Sequence, residues 1–476
     1  MTFKTTRTAL EKDDCDYVWH PFTQMQEWER QPPLIIRRGK GSYVYDMDGN
    51  AYLDATSSIW VNIHGHRHPR IDEAIRHQLT QVAHTTLLGL SNPPAIQLAK
   101  ALIRLAPKGL QKVFYSDNGS TAVEVAVKMA IQYWQQCANP QPRKTRFIHL
   151  GMSYHGDTVG GMSLSGVELF RRSFSPLLFA SHDVAPPYCY RCPLQLHFPQ
   201  CRLACLDPLE KILSTQHQEI AGLILEPMVQ AVAGIIPSPP GYLKRVRELC
   251  TRYKVLFIAD EVATGFGRTG RMFACEHEGI SPDIMAIAKG LTGGYLPLAA
   301  TLTTNAIYEA FLGEGHENKT FFHGHSYAGN PLGCAAALAN LAIFKSERTL
   351  AKLQRRIPKF RRALDSLTED PWVGDIRQCG FMVGIELVQQ KSNKMPFPAT
   401  ERIGQKIALT ARALGLLIRP IGTIMILIPP LSASAKELDQ MVSILKLAIS
   451  VVRESNTSSP ISSTPEGLKR ISDETR

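Results

Sequence analysis

This sequence predicts an α/β fold, a large domain with a mostly parallel central sheet covered by helices and a smaller α/β domain towards the C-terminus. Two observations lead there. Short apolar runs, "KVFYSD", "TRFIHLG", "AGLILEP", "VLFIAD" and "DIMAIA", are each followed by turn chemistry and usually by a helical stretch, the pattern of βαβ units. At 476 residues the chain is also too long for one hydrophobic core, so two or more subdomains are expected.

Each run lacks the polar alternation of a half-exposed strand, so each reads as a strand buried on both faces. Between about 340 and 370 the pattern changes. Leu350, Leu353, Ile357, Phe360, Leu364 and Leu367 recur three and four apart, a helix stripe that Pro358 only partly spoils. A further αβ section runs to about 455. The final stretch, "NTSSPISSTPEGLKRISDETR", is polar and aperiodic, and a tail that buries so little cannot offset the entropy of ordering it.

Composition excludes several function classes. Lys plus Arg exceed Asp plus Glu by 53 to 42, yet the excess is dispersed over "RRGK", "RRSF" and "KLQRRIPKFRR" rather than gathered into a nucleic-acid footprint. The first 30 residues hold no signal-like apolar core, and stretches such as "IMILI" are far too short to span a bilayer, so a cytoplasmic location without membrane or nucleic-acid partners is expected. Ten cysteines in a chain of this type suggest reduced thiols. Four of them, Cys189, Cys192, Cys201 and Cys205, follow a CxxC and CxxxC spacing that suits a structural zinc site, or simply four cysteines in a loop insertion.

The chemistry concentrates where strands end. "VLFIAD" closes on Asp260 and "DIMAIA" leads straight to Lys289, so both charges come to the same rim of the sheet, where open α/β folds bind ligands. Alone the two also fit a structural ion pair, which is far commoner than a cofactor site. "YSDNGSTAVEVAVKMAIQYW" adds a strand, a small polar turn and a helix whose start at Gly119 and Ser120 suits a phosphate. In "GMSYHGDTVGG", Tyr154 sits beside His155 after another strand, as a packing residue or as a plate for a flat heterocycle. Phosphate cradle, aromatic plate, carboxylate and lysine together match what pyridoxal phosphate asks of a protein.

These motifs, with "WHPFTQM", "SSIWVNIHGH" and "FFHGHSYAGNPLGCAAA", resemble the class III, fold type I PLP-dependent aminotransferases over nearly the whole chain. Within that group they are most similar to the biotin-pathway enzymes that make 7,8-diaminononanoate from 8-amino-7-oxononanoate. The resemblance implies an N-terminal segment (1–65) packing with the small domain, a large cofactor-binding domain (66–340), a small domain (341–455) and a disordered tail (456–476). It implies that Lys289 bonds the cofactor aldehyde and shuttles the proton, that Asp260 pairs with the pyridinium nitrogen, and that Tyr154 stacks on the ring. Gly119 and Ser120 would hold the phosphate with Ser326 from a second subunit, making the protein a homodimer with shared sites.

For the substrate, the resemblance implies a pocket of Trp60, Phe22, Gly324, Arg419 and Arg268, with Arg419 on the far carboxylate and Arg268 in a supporting or gating role. The reaction would be ping-pong, with S-adenosylmethionine or lysine as amino donor. Phe22 stands where many relatives have tyrosine and Ile59 where many have tryptophan, which bears on the donor more than on the acceptor. Competing expectations are an ornithine- or 4-aminobutyrate-type ω-aminotransferase, a catalytically retired binding protein of the same fold, and a zinc enzyme built on the four cysteines.

Overall fold

The computed structural model describes residues 6–457, so the tail expected at 456–476 lies outside the described residues from 458 onward. Its centre is a seven-stranded sheet in the order Leu110–Ser116, Ala299–Thr304, Ile284–Ile287, Leu256–Asp260, Ile220–Leu225, Arg146–Leu150, His182–Val184. All five apolar runs lie in it. Ala299–Thr304 alone is reversed, pairing antiparallel with both neighbours, and the other adjacent pairs are parallel.

The buried runs split by alternation. Leu256 and Ile258 pack with Ala122, Val125 and Ala126 of the long helix Gly119–Gln136, whereas Phe257 and Ala259 join the opposite core with Leu243 and Val246 of the helix Tyr242–Arg252. One strand therefore feeds two cores, which is why its sequence is apolar throughout. Ile220–Leu225 and Leu256–Asp260 are buried along their full length.

Two four-stranded sheets and the two-stranded ribbon of Val229–Gln230 with Ile236–Pro237 complete the framework among the described residues. Val373–Cys379, Met382–Leu387, Ile424–Leu427 and Arg419–Ile421 form an antiparallel sheet, covered in part by the helix Thr349–Asp365. That helix buries Leu353, Phe360 and Leu364, as its stripe requires, and carries Pro358 inside it without ending there. The other sheet joins the two ends of the chain: Ala51–Asp54 pairs in parallel with Leu416–Leu417, matching Leu53 to Leu416 and Asp54 to Leu417. No helix among the described residues is long and apolar enough to cross a membrane.

Candidate active site

The carboxyl ends of Ile220–Leu225, Leu256–Asp260 and Ile284–Ile287 open on one cavity of about 560 Å³. Its lining includes Lys289, Asp260, Glu226, Tyr154, Gly119, Ser120 and Trp60. Parallel pairing of Asp260 with Ala286 sets the carboxylate and the lysine side by side on the rim. Lys289 opens a short helical turn with φ +34°, a left-handed conformation uncommon for a residue with a side chain. Loss of hydration lowers its pKa from the ordinary lysine range, against the opposing pull of Asp260 and Glu226.

Asp260 is not spent on an ion pair with that lysine. Its Oδ2 lies 2.7 Å from Nδ1 of His155, and its Oδ1 accepts the Val262 N–H at 3.1 Å. Both side chains of the Asp260–His155 pair are buried. Glu226 ends the neighbouring strand and accepts the N–H groups of Tyr154 and Ala231 at 3.2 and 2.8 Å. Burial pushes its carboxyl up to about 7, with His155 opposing and Asp260 adding to the rise. The rule that found Asp260, a carboxylate closing a buried run, also fits "AGLILEP" and would have found Glu226.

One end of the cavity is built by the start of the helix Gly119–Gln136. Asn118 caps it, its side chain accepting the Thr121 N–H at 3.0 Å, and no acidic residue occupies the first turn to offset the positive end of the helix. A Cβ on Gly119 would come within 2.6 Å of Val262 Cγ1, and one on Gly156, at φ +111°, within 2.1 Å of Ser120 Oγ. Only glycine fits either place. Tyr154 presents its ring to the cavity while its hydroxyl donates to Asp157 Oδ2 at 2.6 Å.

Trp60 forms the wall facing Lys289, with Nζ 5.6 Å from its ring centroid. It ends a run from Ser57 to Trp60 in which all four residues have positive φ. The strained turn is held on two sides. Asp54 accepts the Ser58 N–H, the Ser58 hydroxyl and the Thr56 hydroxyl, and lies 3.0 Å from His66 Nε2. Arg268 does not line the cavity. It is buried behind Trp60, donating to the carbonyls of Trp60, Asn62 and Pro429 at 3.0, 2.8 and 2.8 Å, and burial lowers its pKa to about 9.

Four more expected residues lie outside this cavity in the single chain. Gly324 and Ser326 are exposed, next to the exposed rings of Phe322 and Tyr327. Arg419 is exposed too, its guanidinium carbon 6.0 Å from the Phe22 ring centroid. Phe22 in turn meets Phe170 edge to face, at 5.3 Å, and Phe170 meets Tyr154 at 6.1 Å. Nothing in the sequence marked Phe170, which sits in an irregular stretch after "GGMSLSG".

The four clustered cysteines are all free and surround a separate small cavity with Tyr188 and Phe198. No group of three or more His, Cys, Asp or Glu side chains among the described residues is placed to hold a metal ion.

A family model described as aminotransferase class III matches residues 24–449. The adenosylmethionine-8-amino-7-oxononanoate aminotransferase of Geobacter sulfurreducens is 51% identical over 92% of this chain and 97% of that protein. The protein of that name from Aquifex aeolicus is 50% identical over 93% and 97%. The crystal structure of the Methanocaldococcus jannaschii adenosylmethionine-8-amino-7-oxononanoate aminotransferase aligns with a TM-score of 0.89 at 46% identity, covering 94% of this chain and 99% of that one. An ω-transaminase from Thermomicrobium roseum aligns equally well, at 0.89, with 33% identity over 94% and 99%.

Proposed function

The chain belongs to the class III aminotransferases, and from that premise we propose that its cavity transfers an amino group to 8-amino-7-oxononanoate, giving 7,8-diaminononanoate for biotin synthesis. The observation that carries this reading is the placement of Lys289, Asp260 and the Gly119–Ser120 turn around one cavity. Relatives bearing that activity in their names are about half identical over nearly the whole length, whereas the ω-transaminases of matching fold stand near one third.

The residues fit pyridoxal phosphate. The turn at Gly119 and Ser120 leaves room for a phosphate on the first-turn amides that Asn118, bonded to the Thr121 N–H, does not cap. Asp260, already held by His155 and Val262, has the charge to keep a ring nitrogen protonated. We assign Gly119 and Ser120 to the phosphate, Asp260 to that nitrogen, Tyr154 to the ring face and Lys289 to the aldehyde. When bound, the cofactor supplies an electron-withdrawing ring that acidifies the substrate carbon bearing the amine.

The protein does the rest. Lys289 Nζ, kept towards its neutral form by burial, takes the proton from that carbon and returns it elsewhere, so it works as base and then as acid. Trp60 and its clamped turn keep water from the reacting end. Arg419 faces outward without an ion pair among the described residues, and its planar fork suits the carboxylate at the far end of the acceptor.

We further propose a homodimer. Ser326 and Gly324 stand exposed among Phe322 and Tyr327, and Trp19 and Leu88 are almost wholly exposed, surface that a second copy would cover while lending Ser326 to the phosphate. Division of the chain at 65, 340 and 455 goes with that reading, since the first segment already shares a sheet with residues 416–417.

The test is direct. The cofactor-loaded protein is mixed separately with S-adenosylmethionine and with lysine, and loss of its visible absorbance is followed. One of the two is expected to discharge it, and 8-amino-7-oxononanoate is expected to restore it faster than 2-oxoglutarate. If neither donor acts, the biotin-pathway assignment fails. If 2-oxoglutarate with ornithine or 4-aminobutyrate is preferred, the ω-aminotransferase alternative takes its place.

A further inference from the structure

We propose that Phe170 is a specificity-determining residue, the middle ring of an aromatic wall joining the reacting end of the site to Arg419, and that this wall selects acceptors with a long apolar spacer. The proposal rests on the function assigned above.

Two segments far apart in sequence make the wall. Phe22 lies in a turn at φ +53°, and Phe170 lies on the single helical turn Glu168–Arg171. Their rings meet at 5.3 Å and 67°, and Phe170 meets Tyr154 at 6.1 Å and 85°, both edge-on geometries that aromatic pairs favour. Tyr154 lines the cavity of Lys289 at one end, and Arg419 stands 6.0 Å from Phe22 at the other. Three rings thus span the gap between the reacting lysine and the outward-facing cation.

The wall offers almost nothing polar between its ends. Phe22 and Phe170 carry no hydrogen-bonding group, and the Tyr154 hydroxyl is engaged by Asp157. A substrate running along it must therefore be apolar in its middle and anionic at its tip. Position is set as well as chemistry: Arg171 donates to the Ser165 carbonyl at 2.9 Å, and the Ser165 hydroxyl accepts the His155 N–H at 2.9 Å, which ties the short turn to the site. Phe22 is 58% exposed and Leu169 79% exposed, and the two line one groove with Trp19, His20, Thr23 and Gln24 beside the outer ring of the wall. Shortening the spacer would leave the anion short of Arg419 or the ketone short of Lys289. Losing a methylene in an apolar site usually costs about tenfold or more in kcat/KM.

The experiment uses the cofactor-loaded enzyme and a series of aliphatic keto acids of graded chain length that includes 8-amino-7-oxononanoate. Wild type is expected to favour the long members. Phe170→Ala is expected to raise KM for them roughly tenfold with kcat within about twofold, and to flatten the length preference. Phe170→Leu, which keeps an apolar side chain, should fall between, and Phe170→Tyr, which puts a hydroxyl into the wall, should raise KM without flattening the series. An unchanged cofactor spectrum in the variants separates this from general damage to the site. Unaltered KM and length preference in Phe170→Ala and Phe170→Leu, or an equal loss of kcat across the series, would overturn the proposal. Indifference of wild type to 8-amino-7-oxononanoate itself would instead sink the function assigned above, and Phe170 would still be judged on the remaining members of the series.

Discussion

Asp260 turns its Oδ2 to His155 Nδ1 at 2.7 Å while Lys289, beside it on the rim, takes no part in the pair. The carboxylate is oriented by the His155 ring rather than neutralised by the lysine, so both groups remain free for a ligand. His155→Leu removes the partner that orients a buried carboxylate. The expected result is a drop in kcat of about tenfold or more. Steady-state rates check it.

Lys289→Ala removes the side chain assigned to carry a proton to and from the substrate carbon in the proposed reaction. Turnover is expected to fall by at least about 10³-fold, measured by single-turnover absorbance with saturating donor. Since burial lowers the lysine pKa, the neutral base is populated at lower pH than for an exposed lysine, and wild-type rates should rise with pH through that lowered value and then level off.

Gly119→Ala places a methyl 2.6 Å from Val262 Cγ1, closing the phosphate cradle. Cofactor affinity, read by titration of apoprotein, is expected to weaken by about ten- to a hundredfold, or about 1.4 to 3 kcal/mol. A second change, Val262→Ala, opens space for the new methyl and should restore much of the loss.

Glu226 predicts a pH dependence of stability with a definite sign. Its folded pKa, about 7, lies above the ordinary 4.5, so its protonated form contributes stability that is fully present below about 4.5 and lost as pH rises through about 7. In the apoprotein Glu226→Gln should therefore gain on wild type as pH climbs across that window, by an amount on the order of 3 kcal/mol at most. Thermal melts of both proteins across pH decide it.

Arg268→Met tests the clamp behind Trp60. Three backbone carbonyls lose their buried donors, and stability is expected to drop by about 3 kcal/mol. KM for the acceptor should rise with it, because the turn carrying Trp60 loses its support. Denaturant unfolding and acceptor kinetics on the same preparation measure the two effects.

Much of the site was legible because it obeys a short rule: a buried run that ends in a charged residue delivers that charge to the sheet's rim. Lys289 and Asp260 follow it, the Gly119–Ser120 turn comes just after a strand of the same sheet, and all three meet at one cavity. What the sequence hid was tertiary. Ala299–Thr304 is, apart from Leu302, made of small and polar residues and becomes a buried strand because two neighbours pair with it. His155 is named by its motif, but its grip on Asp260 depends on two strand ends meeting. Arg268 reads as one more pocket cation, yet the fold turns it inward to carbonyls. Phe170 has no local signal, since its importance lies in the two rings it touches.

The ribbon that joins Leu53 to Leu416 and Asp54 to Leu417 bears on how the molecule is made. The Leu53 N–H is held by the Gly415 carbonyl, Ser57 donates to the Ile428 carbonyl, and Arg268 reaches Pro429. A nascent chain that has left the ribosome only as far as the lysine's strand carries Lys289, Asp260 and the Gly119–Ser120 turn, but the turn bearing Trp60 has nothing to lean on. The catalytic chamber is thus finished late in synthesis, when the C-terminal strands emerge and zip onto a segment translated first. Truncation between Lys289 and Leu416 leaves a chain with these side chains and no vessel to use them in.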